Sequence, residues 1–254
     1  MTPPGTLHIV GLGPGAAEHR TPAAARAVAG ADAVVGYASY VDACADLLRA
    51  GQRVVRGRMG EEDARADEAL VLACDGLRVA LVSSGDAGVH GMAARTLARA
   101  SELDAAERPE IVVLPGVSAA QAAAALAGAP LSDDFAVVSL SDLHAPWSRV
   151  ERRLRALAPS GLALALYNPR SSRRTAGFDI AVALLRAARP GDTPVVLAHD
   201  VARPDELLQH TTLAELDPEQ VTMRTVVLVA GDTWAQTGPW LVARRGQAPA
   251  GASA

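Results

Sequence analysis

Three short apolar runs in this chain each stop at a glycine-rich turn. Residues 7–12 run into Gly11-Leu-Gly-Pro-Gly15, residues 78–83 into Ser83-Ser-Gly-Asp-Ala-Gly88, and residues 110–114 into Leu114-Pro-Gly-Val-Ser-Ala119. A stretch of helical period follows each one. Strand, turn and helix repeated in that order restrict the chain to an α/β fold with largely parallel sheets. Ligands of open α/β sheets bind beyond the carboxyl ends of the strands, and glycine lets backbone come close to them. One such turn reads as an ordinary tight turn. Three together point to a composite small-molecule site.

The rest of the chain follows the same alternation. Residues 21–29 read as a helix with Thr21 as N-cap and Pro22 at the first helical position. Strands are expected over 32–36 and 52–55, and helices over 40–49, 61–74 and 89–101. Beyond Val117 the pattern predicts helices at 118–127, 149–157 and 178–188. Strands are expected there at 135–139, 161–167, 194–199, 207–212, 225–229 and 240–242. The strands are nearly continuous in apolar residues, which suits sheets covered on both faces. A boundary near Val117 divides the chain into α/β domains over 1–117 and 118–246. The Pro, Ala, Gly and Ser tail, 247–254, is expected to be mobile.

Composition removes several functions. Half of the 254 residues are hydrophobic and a fifth are charged, enough for a sizeable core. The net charge of −4 argues against non-specific nucleic-acid binding. All 24 basic residues are Arg, so Schiff-base, pyridoxal-phosphate and Walker-A lysine chemistry is excluded. The two cysteines, Cys44 and Cys74, form no CxxC pair and read as free thiols. The histidines show no HxH or HxxxH spacing, so no metal site is expected. No run approaches the roughly 20 apolar residues that span a bilayer, and the first residues lack a signal-peptide pattern, so a cytoplasmic protein is expected.

A dinucleotide reading of the first turn fails. Ala16 stands where GxGxxG wants a third glycine, and Pro14 removes an N–H. Asp32, the candidate acidic partner, opens its strand instead of closing it.

A wider set of motifs carries a resemblance. Gly11-Leu-Gly-Pro-Gly15, Val35-Gly-Tyr-Ala-Ser-Tyr40, Met59-Gly-Glu-Glu62 and Ser83-Ser-Gly-Asp86 come first. Pro115-Gly-Val-Ser-Ala119, Gly128-Ala-Pro-Leu131, Asp134-Phe135, Ser139-Leu-Ser-Asp142 and Leu166-Tyr-Asn-Pro-Arg170 follow. In this order, from about Leu7 to Gly246, they resemble the tetrapyrrole methylases. The Val-Gly-Tyr, Ser-Leu-Ser-Asp and Tyr-Asn-Pro-Arg stretches point to the branch that methylates precorrin-3B at carbon 17, with ring contraction, in cobalamin biosynthesis. The resemblance implies two α/β domains with a cofactor cleft between them, a homodimer, a small-molecule tetrapyrrole substrate, and S-adenosyl-L-methionine as donor with S-adenosyl-L-homocysteine as product. It assigns the cofactor to Pro14, Ser84, Gly85, Asp86, Val89, Ser118, Ala119, Asn168 and Val201. On that assignment Gly85→Val is expected to fill space where backbone meets ligand, and to harm binding more than Asp86→Ala.

Some positions depart from the family pattern. Ala87 replaces a proline and is expected to loosen its turn. His90 stands for an aromatic, Asp133 for a histidine, and Gly231-Asp-Thr233 for Gly-Asn-Ser. These changes motivate two alternatives: a paralogue with another acceptor, or a cofactor-binding module without turnover. The candidates for handling a proton are Tyr37, aligned with a carboxylate of relatives, His90 and Glu61. Glu61 and Glu62 also read as an acidic helix start. Arg170, Arg173 and Arg174 are candidates for the carboxylate arms of a tetrapyrrole, or else form a solvated loop. Arg203 and Glu206 read as an ion pair.

Overall fold

The computed structural model describes residues 3–143, 145–171 and 174–245. The expected tail and Arg173 lie outside them. The chain divides into two compact units, Met1–Ala119 and Ala120–Ala254.

The first unit contains β1 (Thr6–Gly11), α1 (Pro22–Gly30), β2 (Ala33–Tyr37), α2 (Ala38–Asp42), β3 (Arg53–Gly57), α3 (Glu62–Cys74), β4 (Arg78–Ser83), α4 (Ala93–Ala100) and β5 (Glu110–Leu114). The strands form one sheet in the order β3-β2-β4-β1-β5, and every pairing is parallel. All five carboxyl ends therefore lie along one edge. Successive side chains alternate between the two faces. Leu7, Ile9, Val35 and Leu81 pack with Ala66, Ala69 and Leu70 of α3. Val10, Val34 and Val82 face Ala24 and Val28 of α1 on the other side. Thr21 caps α1 as expected: its hydroxyl accepts the Ala24 N–H at 3.1 Å, and Pro22 occupies the first turn.

Two helices are shorter than their periodicity predicts. The stretch 40–49 splits into α2 and a 3-10 turn at Ala45–Leu47. The stretch expected from 89 becomes helical only at Ala93, because Asp86 takes the amides of Gly88 and Val89 and His90 adopts a φ of +55°.

The second unit carries most of α5 (Ala119–Ala127), then β6 (Gly128–Ala129), β7 (Phe135–Ser139), α6 (Trp147–Leu157), β8 (Ala163–Tyr167), α7 (Ala176–Ala188), β9 (Pro194–His199), β10 (Leu207–Thr212), β11 (Thr225–Val229), β12 (Trp234–Thr237) and β13 (Trp240–Ala243). The main sheet runs β10-β9-β11-β8-β7. Only β7 and β8 pair in parallel; β9–β10, β9–β11 and β8–β11 are antiparallel. The expectation of largely parallel sheets is thus corrected for this unit. The cause is connectivity: no α-helix stands between β9 and β10, so β10 turns back on β9, and β11 then crosses to the far side of β9, between it and β8, running against both neighbours. β8 and β9 both oppose β11, so their carboxyl ends, and that of β7, share one edge. Leu164, Leu166, Leu197 and Val227 pack with Leu154 of α6 and Phe178 of α7. A small third sheet, β12-β13-β6, adds two strands that the sequence pattern did not predict.

A half-buried arginine fastens the second unit's layers. Arg189 donates to the carbonyls of Leu157, Ala158, Leu162 and Ala230, with the Ala158 bond at 2.8 Å. It ties the end of α6 to the flanks of β8 and β11. Burial lowers its pKa, and Asp232 nearby opposes that shift.

Candidate functional site

The three glycine turns of the first unit are bound to one another by their own backbones. The Leu12 N–H donates to Ser83 O at 2.9 Å. Gly13 and Gly85 exchange both bonds, N–H to O at 3.0 and 2.7 Å. The third turn joins through Asp86. Its Oδ1 accepts the N–H groups of Gly88 (2.7 Å) and Val89 (3.0 Å), and its Oδ2 accepts that of Gly116 (2.9 Å). The carboxylate is a staple between the ends of β4 and β5.

Such close backbone packing dictates glycine. A Cβ on Gly116 would stand 2.3 Å from Gly85 O, and one on Gly11 2.7 Å from Gly116 N. Gly85 differs. Its added Cβ would meet only Ala119 N, Ser118 Cα and Val117 O, at 3.8 to 4.0 Å. A side chain at Gly85 therefore has room within the protein itself, as an expectation of filled ligand space requires. The first cost there is the φ of +65°. The room beside Gly85 is a cradle bordered by backbone, which a side chain would fill.

The structure places the first-unit candidates along this edge. Pro14 is buried in the turn after β1. Ser84, Gly85 and Asp86 lie in the turn after β4, with Val89 exposed beyond it. Ser118 is buried and Ala119 half-buried after β5. Ala87, expected to loosen its turn, is fully buried, and its carbonyl accepts the Ala93 N–H that starts α4. Tyr37 ends β2 and is half-buried, edge-on to Tyr40 with ring centroids 5.2 Å apart. Glu61 lies past β3, the edge strand. Its carboxylate accepts the Arg58 N–H at 2.8 Å, and its carbonyl accepts the Arg65 N–H at the start of α3. The adjoining Glu62 pairs with Arg65 at 3.2 Å. His90 reaches the surface, but protein around it removes enough water to lower its pKa.

Asp32 sits at the opposite edge, where β2 begins. It accepts from the backbone and guanidinium of Arg78 at 2.7 to 3.0 Å, which lowers its pKa from 3.8 to about 2. A carboxylate so engaged, at the amino end of its strand, is not a ribose ligand.

In the second unit Asn168 follows β8 and Val201 follows β9. Asn168 has a φ of +51°, and its Nδ2 donates to Ser139 Oγ, at the end of β7, at 3.0 Å. Val201 is buried between Asp200 and Ala202, whose φ values are +46° and +58°. The same edge carries an open cavity of about 370 Å³ lined by Arg170, Ser171, Thr175, Val221, Thr222 and Met223. No motif marked the last three, which approach from the loop before β11. Arg170 pairs with Asp179 at 3.0 Å; Arg174 donates to Leu140 O at 2.6 Å and lies 3.7 Å from Asp142. Both guanidinium groups are thus engaged within the fold. Tyr167, also unmarked as a site residue, accepts the Ala120 N–H at 2.6 Å and caps the first turn of α5 beside Ser118 and Ala119.

Among the described residues, the non-glycine residues with positive φ are His90, Asn168, Asp200 and Ala202. All four stand in turns after β4, β8 or β9 that hold candidate site residues. Strain of this kind persists where the surrounding fold enforces it, and it clusters at functional sites. Among the described residues, no group of three or more His, Cys, Asp or Glu is placed to hold a metal ion. No helix among them is long and apolar enough to cross a membrane.

The family model of the Tetrapyrrole (Corrin/Porphyrin) Methylases matches residues 6–217. A Sinorhizobium protein named precorrin-3B C(17)-methyltransferase is 42% identical over 227 residues, covering 89% of this chain and 88% of its own. A probable cobalt-factor III C(17)-methyltransferase of Methanothermobacter thermautotrophicus is 42% identical over 243 residues, 95% of this chain and 67% of that one. The crystal structure of the methyltransferase CobJ superposes with a TM-score of 0.90 at 38% identity, covering 94% of this chain and all of the other. The chain belongs to the tetrapyrrole methylases.

Proposed function

We propose that this protein transfers a methyl group from S-adenosyl-L-methionine to carbon 17 of precorrin-3B, with the associated ring contraction, in cobalamin biosynthesis. The observation that carries the proposal is the knitted carboxyl edge of the first unit, where Gly13, Gly85, Asp86 and Gly116 hold three turns in one fixed arrangement. The 42% identity to the Sinorhizobium enzyme supports the choice of acceptor.

The donor set suits the cofactor. A sulfonium nucleoside carrying an amino acid needs hydroxyls, backbone groups and a backbone-lined gap more than it needs charge. Ser84, Ser118 and the cradle beside Gly85 offer those. When bound, S-adenosyl-L-methionine supplies an activated methyl group. Pro14, Ser84, Gly85, Val89, Ser118 and Ala119 would hold it, together with Asn168 and Val201. Asp86 contributes by fixing the turns, since both its oxygens are used on backbone amides. The protein's remaining task is to align the acceptor carbon and manage its proton. Tyr37 is the leading candidate for that role: its half-buried hydroxyl stands at a strand end next to β4. His90 follows, with desolvation lowering its pKa. Glu61 is third, because its carboxylate already serves the Arg58 amide and it lies past the strand farther from β4.

A second reading is a cobalt-bearing acceptor, favoured by equal identity to the protein named for cobalt-factor III. We further infer a homodimer, as the family resemblance implies, and a cytoplasmic location; sedimentation showing a stable 26.1 kDa species at micromolar concentration would contradict the dimer. The function is tested by offering purified protein both acceptors with S-adenosyl-L-methionine and analysing the products by mass spectrometry. Methylated product from either acceptor supports the methylase reading and chooses between the two. Cofactor binding with no product from either leaves a paralogue with another acceptor or the non-catalytic module.

A further inference from the structure

The turn after β9 is built against the intrinsic preference of its residues. Asp200 and Ala202 both occupy the left-handed region, at φ of +46° and +58°. Aspartate tolerates that region through local hydrogen bonding, but alanine has no such means, and its Cβ crowds the following carbonyl. Two unfavourable residues around one buried residue, Val201, do not persist unless something holds them.

The structure shows what does. The Arg224 guanidinium pairs with the Asp200 carboxylate, and the Asp200 N–H donates to Arg224 O at 3.0 Å. On the other side, Glu206 Oε2 accepts the Ala202 N–H at 2.6 Å. The Arg203 N–H donates to Asp200 O at 2.9 Å, and the Glu206 N–H to Arg203 O at 3.0 Å, which brings the carboxylate back over the turn. Glu206 thus serves the turn's backbone, a role that an ion pair with Arg203 does not describe.

The turn lies at the edge that also carries Asn168, itself left-handed at +51°. That edge is where an α/β sheet presents its ligand contacts. Three enforced non-glycine residues along one ligand-presenting edge are hard to explain as scaffolding, because glycine would serve a scaffold without strain.

We propose that Glu206 is a positioning residue: its carboxylate holds the Asp200–Val201–Ala202 turn in its strained form so that the backbone at Val201 is presented to the cofactor. The proposal rests on the reading of this protein as an S-adenosyl-L-methionine-dependent methylase. Without the Glu206 bond the strain at Ala202 favours other turn conformers. The cofactor then binds only the fraction still competent, and its apparent affinity falls by that fraction.

The test is calorimetric titration of S-adenosyl-L-methionine into wild type, Glu206→Ala, Glu206→Gln and the double variant Glu206→Ala/Ala202→Gly, with melting of each ligand-free protein. Glu206→Ala is expected to bind about 3- to 10-fold more weakly, the range for the net loss of one ordinary hydrogen bond, which suits an exposed carboxylate. Glu206→Gln keeps an acceptor oxygen and should stay within about 2-fold of wild type. In the double variant glycine takes the left-handed φ freely and should recover most of the loss, to within about 2-fold. Melting temperatures should move by no more than about 3 °C, because Glu206 is exposed. Wild-type affinity in Glu206→Ala would overturn the proposal, as would a loss that Ala202→Gly does not recover. A wild-type protein that fails to bind S-adenosyl-L-methionine would overturn the methylase reading itself, a result distinct from either of those.

Discussion

Asp86 Oδ2 accepts the Gly116 N–H at 2.9 Å, so one side chain at the end of β4 fixes the turn after β5. Its other oxygen holds Gly88 and Val89 at 2.7 and 3.0 Å. Asp86→Ala frees three amides at once. It is expected to cost about 2 kcal/mol of stability in denaturant titration and to weaken S-adenosyl-L-methionine binding. Asp86→Asn keeps the Oδ1 contacts but turns an amide N–H₂ toward the Gly116 N–H, so it should fall between alanine and wild type in both measurements.

Glycine substitutions should rank by backbone distance. Gly116→Ala, with its Cβ 2.3 Å from Gly85 O, should cost several kcal/mol or abolish soluble expression. Gly85→Ala meets no atom closer than 3.8 Å and should cost about 1 to 2 kcal/mol through its φ alone. Urea denaturation of the two variants checks the order. Equal costs would mean that the three turns are not packed backbone on backbone.

Much of the first unit was legible because its information is local. Apolar runs ending at Gly11, Gly85 and Gly116 mark strand ends, and parallel connectivity follows from the helices between them. Thr21-Pro22 marks a helix start by cap chemistry alone. The second unit was less legible, because the directions of β9, β10 and β11 depend on how the connections place β11 between β8 and β9 and not on the strands' own residues. β6, with two residues in Gly128-Ala-Pro-Leu131, reads as a turn, and it is a strand only because Leu241 and Val242 pair with it. Motifs name candidates for the site, but the structural work of Asp86 is not among what they show. A carboxylate in a glycine turn reads as a ligand contact, and only the structure shows the three backbone amides it accepts. Glu206 read only as an ion-pair partner of Arg203, since a bond to a backbone amide four residues away leaves no motif.

Tyr37 and His90 separate kinetically. Tyr37→Phe preserves the edge contact with Tyr40 and should keep cofactor affinity. If the hydroxyl relays the proton, single-turnover methylation should slow by about 100- to 10,000-fold. An unchanged rate would remove Tyr37 from the chemistry. His90→Asn suits the φ of +55°, because asparagine tolerates the left-handed region. Desolvation lowers the His90 pKa, so any His90-dependent step in the pH–rate profile should fall on the acid side of 6.5 and vanish in the variant. The linked stability has the same sense: it is full above the ordinary imidazole value and is lost as pH falls through the lowered one.

Hydrogen bonding from Arg78 holds the Asp32 carboxyl at about 2, below its ordinary 3.8. The unfolded chain takes up this proton first. The pair's stabilisation is therefore present above about pH 4 and lost as pH falls towards about 2. The site is exposed, so the effect should stay under about 1 kcal/mol. Urea unfolding across that range should show a shallower acid slope for Asp32→Asn than for wild type. Parallel slopes would mean that the pair does not contribute.

The central claim is methyl transfer to a corrin precursor, and its most direct test is a single-turnover reaction with S-adenosyl-L-methionine labelled in the methyl group. Protein in excess is mixed with precorrin-3B and, separately, with its cobalt-bearing counterpart. Label is expected in the ring-contracted tetrapyrrole, at carbon 17, with one S-adenosyl-L-homocysteine formed per methyl transferred. Label remaining wholly in the cofactor with both acceptors, while calorimetry shows the cofactor bound, would contradict it.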